Sequence, residues 1–181
     1  MNLRSDADGI IQESLAAILP DAAVEKALRG HTFGTGRIVL VAVGKAAWQM
    51  AHAASDELGS RIGRGIVITK YGHIKGDIPN IACHEAGHPV PDANSFAATQ
   101  EALDLTEGLT AEDTVLFLLS GGGSALFEKP LIPAEELKDL TEQLLASGAD
   151  IVAVNTLRKR MSAVKGGRFA EHCAPAQVFT I

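Results

Sequence analysis

Ser120-Gly121-Gly122-Gly123-Ser124 is the stretch of this sequence best suited to chemistry. Three consecutive glycines cost backbone entropy, so they serve a turn that is tight or lets a ligand approach the main chain. Such a turn aims N–H groups outward, and the two flanking hydroxyls add donors for phosphate or carboxylate oxygens. The preceding residues, Thr114-Val-Leu-Phe-Leu-Leu119, are β-branched or large and apolar, the pattern of a strand buried on both faces. The reading is an anion-cradling loop at the carboxyl end of a parallel strand. A strand-to-helix turn without a ligand is the alternative.

A second candidate is Gly44-Lys45, which follows the apolar run Arg37-Ile-Val-Leu-Val-Ala-Val43 and opens a segment read as a helix over 45–58. A cation in the first turn of a helix opposes the dipole by roughly 0.3–1 kcal/mol, and a bound anion would offset that. A solvated lysine bent away from the helix is the alternative. The third candidate lies in a helix expected over 150–164. Asn155, Arg158, Ser162 and Lys165 are spaced three, four and three apart, which places them on one polar stripe. Arg158, Lys159, Arg160, Lys165 and Arg168 also form a basic cluster, which reads equally as a solvated face near a helix C-terminus.

Other signatures fail. His84-Glu85-Ala86-Gly87-His88 spells H-E-x-x-H, but zinc binding needs both histidines on one continuous helix. Gly87 and the prolines at 89 and 91 argue against that, and the residue before a proline avoids helical dihedrals. No metal site is assigned, and His88 is kept as a pocket-lining residue. The nucleophile elbow G-x-S-x-G fails at Leu126. No Walker pattern occurs, and no G-x-G-x-x-G follows a strand.

The elements that must position these residues alternate. Helices are expected over 5–19 (with Ile10, Ile11, Leu15 and Ile18 at helical spacing), 21–28, 45–58, 94–108, 133–147 and 150–164. Strands are expected over 37–43, 65–69, 78–83, 114–119 and 177–181. This alternation predicts an α/β fold, a Rossmann-like three-layer α/β/α sandwich with a mostly parallel sheet. The last strand stops in mid-run, so the expected fold is incomplete at the C-terminus.

Composition bounds the function. With 181 residues and 46% hydrophobic content, residues 1–181 suit one domain. A net charge of −6 argues against a nucleic-acid partner. Two cysteines are too few for a disulfide framework. The first eight residues carry acids where a signal peptide would be basic and then apolar, and no run approaches the roughly 18 apolar residues of a membrane span. A cytoplasmic chain with no membrane partner is expected.

Taken in order, Val43-Gly-Lys-Ala-Ala47, Gly87-His-Pro-Val-Pro-Asp92, Ser120-Gly-Gly-Gly-Ser-Ala-Leu126, and Asn155-Thr-Leu-Arg-Lys159 with Ser162 and Lys165-Gly-Gly-Arg168 resemble the N-terminal domain of the bacterial glycerate 2-kinases, also called MOFRL glycerate kinases. Some relatives carry the name hydroxypyruvate reductase. The resemblance spans about residue 5 to the end. It implies ATP-dependent phosphorylation of D-glycerate to 2-phosphoglycerate with Mg²⁺, in a cleft between a large α/β domain and a smaller C-terminal one. A homodimer is compatible with it.

On this reading Lys45, Arg158 and Lys165 serve catalysis. Gly44, His88, Ser120, Gly121, Gly122, Gly123, Ser124, Asn155 and Ser162 bind substrate or phosphate. Two departures stand out. Ala153 sits where relatives often have an acid, and the family chain runs to more than twice this length. The Asp-bearing Ser-Asp-Val stretch and the second domain are absent. The magnesium ligand and any base for the 2-hydroxyl are therefore expected outside this chain, which is expected to be inactive alone. The rivals are a sugar-phosphate-binding module and a hydroxypyruvate reductase.

Overall fold

The computed structural model describes residues 3–181, so the part of the leader reading that falls on Met1 and Asn2 lies outside it. Two helices, α1 (Leu3–Ala17) and α2 (Pro20–Arg29), lead into β1 (Ile38–Val43), α3 (Ala47–Leu58), β2 (Ile62–Lys70) and β3 (Ile81–Ala86). Then follow α4 (Ala93–Leu105), β4 (Thr114–Leu119), the one-turn α5 (Gly123–Leu126), α6 (Ala134–Ala146), α7 (Ile151–Arg160), α8 (Arg168–His172) and β5 (Gln177–Thr180).

The strands form one sheet in the order β3-β2-β1-β4-β5, and each of the four pairings is parallel. Alternation along the strands divides the core in two. Leu40 and Ala42 of β1 with Leu116 and Leu118 of β4 face α2 and α3. Val39, Val41 and Val43 with Val115 face α4, α5 and Phe169 of α8. Helices thus cover both faces, which is why all six residues of β1 are buried. The expected three-layer α/β/α sandwich is what forms.

Three boundaries and one burial pattern show where the sequence expectation departs from the structure. The β2 strand begins three residues earlier, at Ile62, because Gly63 and Arg64 interrupt the apolar signal while the pairing with β1 continues across a one-residue register shift at Gly63. The β3 strand begins later, at Ile81, since Ile78 pairs back on Ile81 through a turn in which Asn80 takes a positive φ of 62°. The α7 helix ends at Arg160, because residues 161–163 leave it to hydrogen-bond across to residues 129–131. Helix α1 forms, but Ile10, Ile11 and Leu15 on it and Ile18 just beyond its end stay 56–75% exposed, since neither cluster of the core includes them.

Candidate functional site

In the order 3-2-1-4-5 the chain turns from β1 toward β2 on one side and returns through β3 to β4 on the other. The carboxyl ends of β1 and β4 therefore diverge at a switch point, where open α/β sheets bind ligands. Gly44-Lys45 leaves one of these ends and Ser120-Gly121-Gly122 leaves the other.

The two turns are laced together. Lys45 N–H donates to Gly121 O at 2.9 Å, and Ser120 N–H donates to Val43 O at 2.9 Å. Ser120 Oγ accepts from Ala46 N–H at 3.0 Å. Two glycines are required by this contact. A Cβ on Gly44 (φ +122°) would run into Ser120 Oγ, and one on Gly122 (φ +91°) would lie 2.9 Å from the His88 ring. The same Gly122 position is 3.3 Å from Lys45 Cγ, so His88, Lys45 and the glycine turn meet at one point.

Lys45 does not stand inside its helix as expected. Helix α3 starts at Ala47 with Ala46 as N-cap, because Ser120 Oγ holds the Ala46 amide outside the helical ladder. The amides of Lys45 and Ala46 are thereby engaged, whereas those of Gly121 and Gly122 find no acceptor among the described residues. The exposed Lys45 ammonium also has no partner among them. Partial burial, and next the charges of Lys45 and Lys70, push the His88 imidazole below its ordinary pKa, which favours its neutral form.

A cavity of about 260 Å³ opens beside Lys45, lined also by Ala46, Trp48, Gln49, Gly72, His73 and Lys75. Its far wall is the loop after β2, and Glu85 of β3 fastens it. One Glu85 carboxylate oxygen accepts from the amides of His73 (2.9 Å) and Ile74 (3.0 Å). These backbone donors, Ile74 first, hold the Glu85 pKa below the ordinary carboxylate range. Trp48 Nε1 donates to Gly76 O at 2.8 Å and pins the other end of the loop.

On the opposite side of the glycine turn, a cavity of about 320 Å³ is lined by Gly123, Ser124, Asn155, Arg158, Lys159 and Lys165 among others. Arg158 donates to Ser124 O at 3.3 Å. Lys165 is differently placed from the expectation of a helical stripe. It lies beyond the end of α7, and its ammonium binds the Glu128 carboxylate and donates to Phe127 O at 2.8 Å. This pair is deep, with side chains 13% and 2% exposed. Burial lowers the Lys165 pKa and Arg158 adds to that, while Glu128 acts in the opposite direction.

Ser162 is not brought to the cavity. It is buried where residues 161–163 pair with 129–131, and its Oγ accepts from Val164 N–H. Arg168 likewise turns inward and donates to the carbonyls of Lys159 and Ser162, closing the end of α7. His84 and His88 do not share a helix. His84 lies on strand β3 with Nε2 2.9 Å from Glu101, while His88 lies beyond the strand at the glycine turn.

The family profile described as "Domain of unknown function (DUF4147)" matches residues 6–181. The chain belongs to the DUF4147 family. This DUF4147 chain is 50% identical over 182 residues to D-glycerate 2-kinase of Thermotoga maritima, across 99% of its own length and 43% of that protein. It is 40% identical to glycerate 2-kinase of Pyrococcus horikoshii, across 94% of this chain and 41% of the relative. The crystal structure of glycerate kinase from Thermotoga maritima superimposes with a TM-score of 0.93 at 51% identity, over 98% of this chain and 43% of that one. The DUF4147 chain thus spans 41–43% of the length of these curated relatives. No helix among the described residues is long and apolar enough to cross a membrane.

Two contributors to this DUF4147 site have weak sequence signals. The loop Lys70–Asp77 reads only as polar, although its place after a buried strand would mark it under the carboxyl-end rule. Glu128 has no spacing signal at all, because its partner is 37 residues away.

Proposed function

We propose that residues 1–181 are the N-terminal domain of a glycerate 2-kinase, which transfers a phosphoryl group from ATP to the 2-hydroxyl of D-glycerate. One observation carries this reading. The partnerless Lys45 ammonium and the unengaged amides of Gly121 and Gly122 meet at the sheet's switch point. Phosphoryl transfer needs little covalent chemistry from the protein; it needs donors fixed where negative charge develops. Lys45 supplies a mobile cation, the glycine turn supplies rigid amides, and Arg158 on Ser124 adds a cation to the same loop. The names of the relatives support kinase chemistry.

Phosphate oxygens fit this donor set, whereas neither of the two cavities beside the glycine turn is lined by an Asp or Glu that could hold a magnesium ion. Among the described residues no three His, Cys, Asp or Glu side chains are grouped to hold a metal. Glu128, the acid that pairs with Lys165 of the second cavity, is 2% exposed and engaged by that lysine. No step is therefore routed through a metal on this chain.

The test is a coupled assay on the full-length protein that carries this chain. ADP release that depends on D-glycerate is the expected result. NADH consumption with hydroxypyruvate and no ADP release would replace the kinase with a reductase. Thermal stabilisation by a sugar phosphate without turnover would leave only a binding module.

A further inference from the structure

The histidine facing Lys45 has a tautomer that the fold dictates. His73 Nδ1 lies 2.8 Å from Lys45 O. A carbonyl oxygen only accepts, so Nδ1 must carry the proton, and a neutral His73 then keeps its lone pair on Nε2. Nε2 has no partner among the described residues, and the ring lines the cavity that the Lys45 side chain also lines. The ring is held from several sides. Its own amide is fixed by Glu85, and its loop is pinned at Gly76 by Trp48. The charged groups around it are Lys45 and Lys75 in the same cavity and Glu85 behind its amide.

The geometry points to His73 as the general base that takes the hydroxyl proton of the acceptor alcohol, a role that rests on the kinase reading above. The cavity of about 260 Å³ is of a size to admit a three-carbon hydroxy acid. Lys45 would meet its carboxylate or the transferring phosphate, while Nε2 meets the hydroxyl. In the step, the O–H bond breaks and its proton passes to Nε2. The freed electron pair forms the bond from oxygen to the terminal phosphorus of the nucleoside triphosphate. The bond from that phosphorus to the bridging oxygen breaks, and the nucleoside diphosphate leaves with those electrons. The imidazolium then returns its proton to water. This places the base within residues 3–181, contrary to the expectation that it lies outside them.

Two substitutions separate base from brace. In His73→Asn the side-chain amide can still donate to Lys45 O but cannot accept a proton. In His73→Ala both functions go. If His73 is the base, both variants of the full-length protein lose about 10²–10⁴-fold in kcat. KM for the nucleotide stays unchanged, and added imidazole restores part of the activity of His73→Ala. A wild-type kcat in His73→Asn would overturn the proposal and leave His73 as a brace for the Lys45 turn. Long-range ¹H–¹⁵N spectra of the histidines give a readout independent of turnover. They should show the neutral His73 ring carrying its proton on Nδ1, and the opposite tautomer would also overturn it. A wild-type protein that releases no ADP with glycerate removes the kinase reading and this role together; an active wild type beside an unimpaired His73→Asn removes this role alone.

Discussion

On the β1 side of the glycine turn the cation is unpaired, and on the α7 side the buried cation is neutralised. Lys45 sits on a short turn between a buried strand and its helix, exposed and without a partner among the described residues. Lys165 projects from an irregular turn after α7 and binds Glu128 in a nearly closed environment. The first arrangement leaves charge available for a ligand. The second uses its charge to fasten residue 165 to the segment that follows α5. Lysines in similar Gly-containing sequence contexts therefore do different work, and the difference lies in what surrounds the ammonium.

The largest effect should come from breaking the neutralised side. Glu128→Ala leaves Lys165 buried without its counter-charge, and removing one partner of a buried pair costs about 3–5 kcal/mol. Urea unfolding of the variant should show a loss of that size. Glu128→Leu combined with Lys165→Met should recover most of it, because an apolar pair of similar volume carries no desolvation cost. A Glu128→Ala protein as stable as the wild type would mean that Lys165 finds water or another acceptor, and the two sides would no longer be distinguishable.

Lys45→Met should give the complementary result. With no partner to orphan, it should leave the unfolding midpoint unchanged. It should lower ADP release by about 10²–10³-fold, the scale for losing a preorganised donor to developing charge. Equal losses of activity in Lys45→Met and in the Glu128→Leu, Lys165→Met double variant would show that both sides hold the reacting phosphate.

A smaller effect is expected at the seam joining β1 and β4. Ser120→Ala removes the acceptor of the half-buried Ala46 amide and should cost about 1 kcal/mol, read as a lower melting temperature. Loss of turnover well beyond that fraction unfolded would make the Ser120 hydroxyl a ligand contact as well.

Much of this contrast could be read from the sequence, and its limits are physical. The β4 strand is found at its expected bounds because Thr114 and the five apolar residues after it are β-branched or large, the pattern of a buried strand. The buried face of α3, namely Ala47, Met50, Ala51, Ala54 and Leu58, follows from helical periodicity alone. Convergence of Lys45 with the glycine turn follows from strand order once β1 and β4 are taken as neighbours. The polar stripe of α7 was less secure, because periodicity cannot register where a helix stops. Residues 161–163 prefer cross-chain hydrogen bonds to residues 129–131, and that diverts Ser162 into the interior. Helix formation in α1 was legible, but burial of its apolar residues depends on a neighbour, which its own spacing does not specify.

The least effect on turnover is expected at the amino edge of the sheet, far along the strands from both cationic sides. There Asp113 accepts from the Arg37 guanidinium and amide and from the Thr110 amide and hydroxyl. These donors, the Arg37 side chain first, hold its carboxyl well below the ordinary range. A depressed folded-state pKa contributes stability that is fully present above the unfolded value of about 3.9 and fades as pH falls below it. Asp113→Asn should therefore lower the unfolding midpoint at neutral pH, and its deficit relative to wild type should shrink progressively below about pH 4. ADP release by the folded variant should match wild type, because Asp113 and its donors lie at the opposite end of β1 and β4 from Lys45 and the glycine turn. A turnover defect in folded Asp113→Asn would mean that strain at one end of β1 and β4 reaches the other, and that the seam at Ser120 is softer than its hydrogen bonds indicate.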